Sequence, residues 1–172
     1  MNNIISKNII RFIVLIFLQI SVMNNIYLGG YANLFVYILF VLMLPTNMNK
    51  VFLLFLSFIS GLVVDIFSCS LGFHAFSATL VGFARILFAN RILTKDDNSE
   101  IENPSVKSVA FSTYIFFMLI LTFIYCLSYY TIEAFCFYDF YNVIIRTLLT
   151  TIVSSAFMLA FEFLFVSSKR TV

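Results

Sequence analysis

The sequence predicts an all-α integral membrane protein of six transmembrane helices with both termini cytoplasmic. Three observations carry that expectation. The 172 residues are 62% hydrophobic and 10% charged, with a mean hydropathy of +1.05. Soluble domains are about 45–50% apolar and about 25% charged, so a fold of this size has no means of hiding the surplus from water. Apolar blocks approaching the roughly 20 residues needed to cross the hydrocarbon core recur along the chain. Lastly, the basic residues between these blocks fall on one side.

The first span is expected at 9–23. Lys7 and Arg11 precede "FIVLIFLQISVM", an arrangement shared with signal peptides, but the run ends in "NNIYLGG" without a small-residue cleavage site, so an uncleaved span is expected. The second block, 27–44, is closed by Pro45 in "PTNMNK", because proline ends a helix. The third and fourth follow at 51–67 and 72–89, separated by a short turn. A polar segment, "RILTKDDNSEIENPSVK", leads to the fifth span at 108–130, and the sixth occupies 141–166. None of the gaps has room for a soluble domain, so 1–172 is read as one domain.

Orientation follows from the lysines and arginines of the loops. Lys7, Arg11, Lys50, Arg91, Lys95, Lys107, Lys169 and Arg170 share one side of a six-span topology, eight of ten basic residues. Glu133 and Asp139 mark the other side. A five-span topology would scatter the basic residues across both faces.

Four charges remain within or at the edges of spans: Asp65, Arg85, Arg146 and Glu162. A charge at bilayer depth costs about 2.5–3.5 kcal/mol on insertion scales, so it is expected to be paired or functional. At about 1.5 Å per residue, depth matches Asp65 with Arg146 toward the outer surface and Arg85 with Glu162 toward the cytoplasm. Glu133 is a second outer partner for Arg146.

The stretch "SGLVVDIFSCSLGFHAF" forms the turn between spans three and four. Gly72 suits a turn, and Asp65 is placed to cap the next helix or to bind turn amides, with His74 as its neighbour. Ser57 and Gly61, and likewise Ala78 and Gly82, are four residues apart, a spacing that lets helix backbones approach closely in lipid. Cys69, Cys126 and Cys136 show no ligand spacing and are expected to be buried and inert. No catalytic set, metal site or cofactor motif is present, and nothing points to nucleic acid. The 23 phenylalanines are expected mainly to face lipid.

These residues resemble a family, the rod shape-determining protein MreD. "LMLP" at Leu42–Pro45 resembles its closure of the second hydrophobic block. "GLVVDIFSCSLGFHAFSATLVGFAR" resembles its signature at Gly61, Asp65, Gly72, His74 and Ala75, with Arg85 closing the fourth span. "YYTIEAFCF" resembles its outer segment at Glu133, Ala134 and Phe135. The form resembled most is the Bacteroidetes type, although the histidines that often precede that glutamate are replaced here by tyrosines.

The resemblance implies a non-enzymatic protein of the bacterial inner membrane. It would bind the bitopic protein MreC and help couple actin-like MreB filaments to the elongation peptidoglycan synthase, a glycosyltransferase with its transpeptidase. It also implies a fold similar to the substrate-binding subunits of energy-coupling-factor transporters. The competing expectation is a carrier subunit for a small, vitamin-type molecule, with Asp65, His74, Glu133 and Arg146 lining an outer cavity.

Overall fold

The computed structural model describes the backbone of residues 2–26, 33–92, 110–134 and 140–167, and the side chains of 8–26, 33–88, 110–134 and 140–163. Within them the elements are α1 (Asn2–Ser21), a 3₁₀ turn (Met23–Asn25), α2 (Ile38–Leu42), α3 (Lys50–Ser68), α4 (Phe73–Ile92), α5 (Phe111–Ala134) and α6 (Phe140–Ser167). No strand occurs among the described residues. Four stretches, Asn8–Asn25, Lys50–Ser68, Phe111–Ala134 and Phe140–Phe163, are long and apolar enough to cross a membrane, and the apolar part of α4, Phe73–Phe88, is shorter. The chain is a multi-pass membrane protein in architecture.

The bundle is apolar outside, and its apolar core also holds buried polar side chains. On α3, Val51, Phe52, Phe55, Phe58, Leu62 and Ile66 face outward while Ser57, Ser60 and Asp65 are buried. On α6, Thr147, Thr150, Thr151, Ser154 and Ser155 turn inward. Thirteen of the 23 phenylalanines are exposed, as expected of side chains that meet lipid. Several hydroxyls inside such helices, though not those of Ser77 and Tyr114, satisfy themselves locally: Thr147 Oγ1 donates to the Val143 carbonyl at 2.7 Å and Thr122 Oγ1 to that of Met118 at 2.8 Å. That back-bonding lets polar side chains occupy the interior without leaving donors stranded.

The second expected span is the main departure from the sequence reading. Of the block 27–44, only Ile38–Leu42 is α-helical, Asn33–Val36 has no regular secondary structure, and 27–32 lie outside the described residues. Leu34 to Leu44 are each at most 5% exposed. This interrupted segment runs through the centre of the bundle, against α1, α3, α4 and α6. Burying it satisfies the apolar side chains, but it strands backbone groups that a helix would have paired. Non-helical backbone at membrane depth is tolerated only where protein supplies the partners.

Side chains supply them. Gln19 of α1 accepts from the Val36 amide at 2.8 Å and donates to the Leu34 carbonyl at 2.7 Å. Ser154 of α6 accepts from the Phe35 amide at 3.0 Å and donates to the Asn33 carbonyl at 3.3 Å, while Thr150 accepts from the Asn33 amide at 3.3 Å. At the segment's other end Arg85 of α4 donates to the carbonyls of Leu42 and Leu44.

α3 and α4 form the antiparallel hairpin expected from their small residues. Asn49 caps α3 by accepting from the Val51 amide at 3.0 Å. A Cβ placed on Gly61 would lie 2.4 Å from the His74 carbonyl oxygen and 2.6 Å from the Ala75 Cα, so α4 backbone occupies that space. Farther along, a Cβ on Gly82 would meet the Ser57 hydroxyl at 2.6 Å. Cys69 ends α3 in the left-handed region, φ 52°, and Gly72 follows at φ 89°. Cys69 is therefore exposed in the turn, against the expectation that all three thiols are buried; Cys126 is buried and Cys136 lies outside the described residues.

Two substitutions test these contacts. Gly61→Ala must push two backbones apart and is expected to cost about 1–3 kcal/mol, as overpacking does, read as a lower melting temperature in detergent. Gln19→Leu keeps the volume but leaves the Leu34 carbonyl and Val36 amide without their partner. It should cost about 1–3 kcal/mol for each group stranded, whereas Thr131→Val, on an exposed helix face, should leave melting nearly unchanged.

Candidate functional site

Asp65 organises the hairpin end of the bundle. Its Oδ1 accepts from the His74 amide at 3.1 Å and from the Ser70 hydroxyl, and its Oδ2 accepts from the Ala75 amide at 2.7 Å. These amides belong to the first turn of α4, where backbone donors have no partner within the helix and a carboxylate is favoured. Both oxygens are thus engaged by the chain's own turn. Asp65 is 3% exposed, so the lock is screened from water.

His74 performs two tasks from one residue. Its amide completes the cap on Asp65, and its ring, also buried, places Nδ1 2.6 Å from the Tyr125 hydroxyl of α5. Tyr125 lies 2.9 Å from the Tyr37 hydroxyl, which reaches back to the His74 carbonyl at 3.5 Å. Phe35 packs edge-on or tilted against His74, Tyr125 and Tyr129, with ring centroids 5.5, 5.0 and 4.9 Å away. The interrupted segment, α4 and α5 therefore meet in one aromatic and hydrogen-bonded cluster.

Beside this cluster opens a cavity of about 420 Å³, bounded by the end of α1, the irregular residues 33–35, the end of α3, the start of α4 and the end of α5. Asn24, Phe35, Ser68, His74, Tyr129 and Glu133 are among its lining residues. Asn24 is fixed at both ends, accepting from Gln19 at 2.8 Å and donating to Ser68 at 2.7 Å. Its wall is thereby tied to the same glutamine that holds the interrupted segment.

The residues singled out in the sequence separate into three places. Gly61, Asp65, Gly72, His74 and Ala75 come together as the hairpin lock. Glu133 is exposed at the cavity and feels the charge of Arg146. That influence acts through space, without an ion-pair contact; the Asp65–Arg146 pairing is not formed either, because among the described residues the carboxylate bonds only within its own turn. At the other end Arg85 and Glu162 are both buried and both act on Tyr114, which Arg11 also reaches. The donors of Arg85 nevertheless go to main-chain carbonyls. Depth along a helix is legible from sequence, but which way each side chain turns around it is not.

Gln19, Tyr37, Tyr125, Tyr129, Thr150 and Ser154 were not anticipated. Gln19 carried a signal, a lone amide inside "FIVLIFLQISVM", since polar side chains within spans commonly bridge to neighbouring segments. Tyr125 and Tyr129 are four apart on α5 and so share a face. Comparison of the chain with protein-family models, with curated proteins and with solved structures returns no match.

Among the described residues no group of histidine, cysteine, aspartate and glutamate is arranged to hold a metal ion. Asp65→Asn tests the lock. An amide offers one acceptor oxygen and turns a donor toward an amide N–H, so the substitution is expected to cost about 1–3 kcal/mol. Thermal unfolding in detergent reads the loss. Serine at position 70 replaced by alanine, which removes one donor and leaves both amide contacts, should cost less.

Proposed function

We propose that the chain is a non-enzymatic scaffold of the bacterial inner membrane serving the cell-elongation complex. In this reading it is required for rod shape and lateral peptidoglycan synthesis. It would bind an MreC-type bitopic protein and the elongation synthase, and through them act with the actin-like MreB filament. The observation that carries the proposal is spatial: the signature residues of the resemblance, Gly61, Asp65, Gly72, His74 and Ala75, meet in one lock in which each residue type has a structural task.

A structural task favours a scaffold over chemistry. The carboxylate of Asp65 is occupied on both oxygens by donors of its own turn, two of them main-chain amides of α4, which is the bonding of a helix cap. The hairpin that the lock fixes presents Phe52, Phe55, Phe58, Phe76 and Phe83 outward. Large aromatic area on helices set in a fixed register is suited to lateral packing against partner spans.

Depletion in the host, with cell width and length followed by microscopy, tests the reading. Rods are expected to round up even in medium rich in vitamins. Wild-type protein should restore shape and capture an MreC-type partner, while Gly61→Leu, which separates α3 from α4, should do neither. Normal shape with growth restored by a nutrient would instead identify a carrier and overturn the scaffold reading.

A further inference from the structure

The cavity has a chemical bias that the hairpin lock does not require. Among the described residues its lining contains one carboxylate, Glu133, and neither lysine nor arginine. Arg146 of α6 is not among the lining residues and offsets part of the Glu133 charge. Phe35 and Tyr129 also line the cavity, and aromatic rings attract cations. At about 420 Å³ the space falls in the range of small-molecule sites, roughly 300–1,000 Å³.

The hydrogen-bond inventory points the same way. Asn25 donates one amide hydrogen to the Ser21 carbonyl at 2.9 Å, and its Oδ1 is an acceptor. The ring of His74 has Nδ1 committed to Tyr125, so Nε2 is its remaining polar atom. Proton positions in the cluster are assigned from the network. If His74 Nδ1–H donates to Tyr125, Tyr125 donates to Tyr37, and Tyr37 donates to the His74 carbonyl, every one of these protons has an acceptor. That order makes Nε2 an acceptor as well. The cavity thus combines a carboxylate, two neutral acceptors and aromatic residues.

We propose that this cavity binds a small molecule through a protonated amine, with Glu133 as the counter-charge and Asn25 and His74 as acceptors. The ammonium can belong to a free amine or to the headgroup of phosphatidylethanolamine. The proposal rests on the cavity alone and is independent of the scaffold reading, since binding by purified protein says nothing of cell shape.

The test uses the full chain in lipid nanodiscs made of phosphatidylglycerol, titrated calorimetrically against empty discs. Benzylamine and ethanolamine are the probes, with benzyl alcohol and benzoate as neutral and anionic counterparts. Saturable binding of an amine is expected, at least about tenfold tighter than either counterpart, and weakened about tenfold by Glu133→Gln. Glu133 is exposed, so that variant should melt with the wild type and isolate the charge from folding. Repeating the titration with phosphatidylethanolamine in the discs separates the sources: competition identifies the headgroup, and unchanged binding a free amine. No saturable binding of either amine, equal binding of alcohol and amine, or wild-type affinity in Glu133→Gln would each overturn the proposal.

Discussion

Everything in this bundle depends on one constraint: a backbone that is not helical at membrane depth must find its hydrogen bonds in protein. Residues 33–44 are as apolar as any span, yet only Ile38–Leu42 pairs its own amides and carbonyls in the helical way. An unmatched amide in hydrocarbon costs several kcal/mol. The chain meets that cost with side chains from three helices, Gln19, Arg85 and the pair Thr150 and Ser154. These four polar residues of the interior are therefore consequences of a broken span rather than isolated anomalies. Arg85 shows this best, since a cation whose donors reach carbonyls is solvated by the segment it supports.

The hairpin lock and the interrupted segment belong to one mechanical path. Asp65 fixes the first turn of α4, and Gly61 sets how closely α4 lies on α3. With start and spacing fixed, the position of Arg85 three turns further along α4 follows from helix geometry. The same residue that receives the cap, His74, sends its ring to Tyr125 and so ties the hairpin to α5 and, through Tyr37, to the segment. Small residues at the contact matter because lipid gives helices no hydrophobic reason to associate, leaving close packing and hydrogen bonds to hold them.

This path also explains which features were legible in the sequence. Five of six blocks became helices near their expected bounds, because length and hydropathy decide that. The cap by Asp65 and the close approach at Gly61 were legible too, being local in sequence and dictated by the short turn between them. The interruption at 33–36 was not, since a buried coil and a buried helix draw on the same apolar residues. Its one local trace was the distant Gln19, whose role appears only once α1 lies beside the segment. The Asp65–Arg146 pairing failed for a related reason: sequence gives the height of both residues, whereas their meeting depends on helix rotation.

A scaffold and a ligand site are compatible on this architecture, because they draw on different groups of the same residues. The lock uses the His74 main chain and the Asp65 carboxylate; the cavity has the His74 ring and the exposed Glu133. What joins them is rigidity. The His74 ring is held by Tyr125, and Asn24 is held between Gln19 and Ser68, so two walls of the cavity are pinned by the bonds that position the interrupted segment and the end of α3. A molecule seated against those walls would act on a preformed site, and its binding would stabilise the hairpin arrangement over any in which α3 and α4 part. Such coupling requires a difference in affinity between the two arrangements. Here that difference has a physical origin, because separating α3 from α4 dismantles the wall.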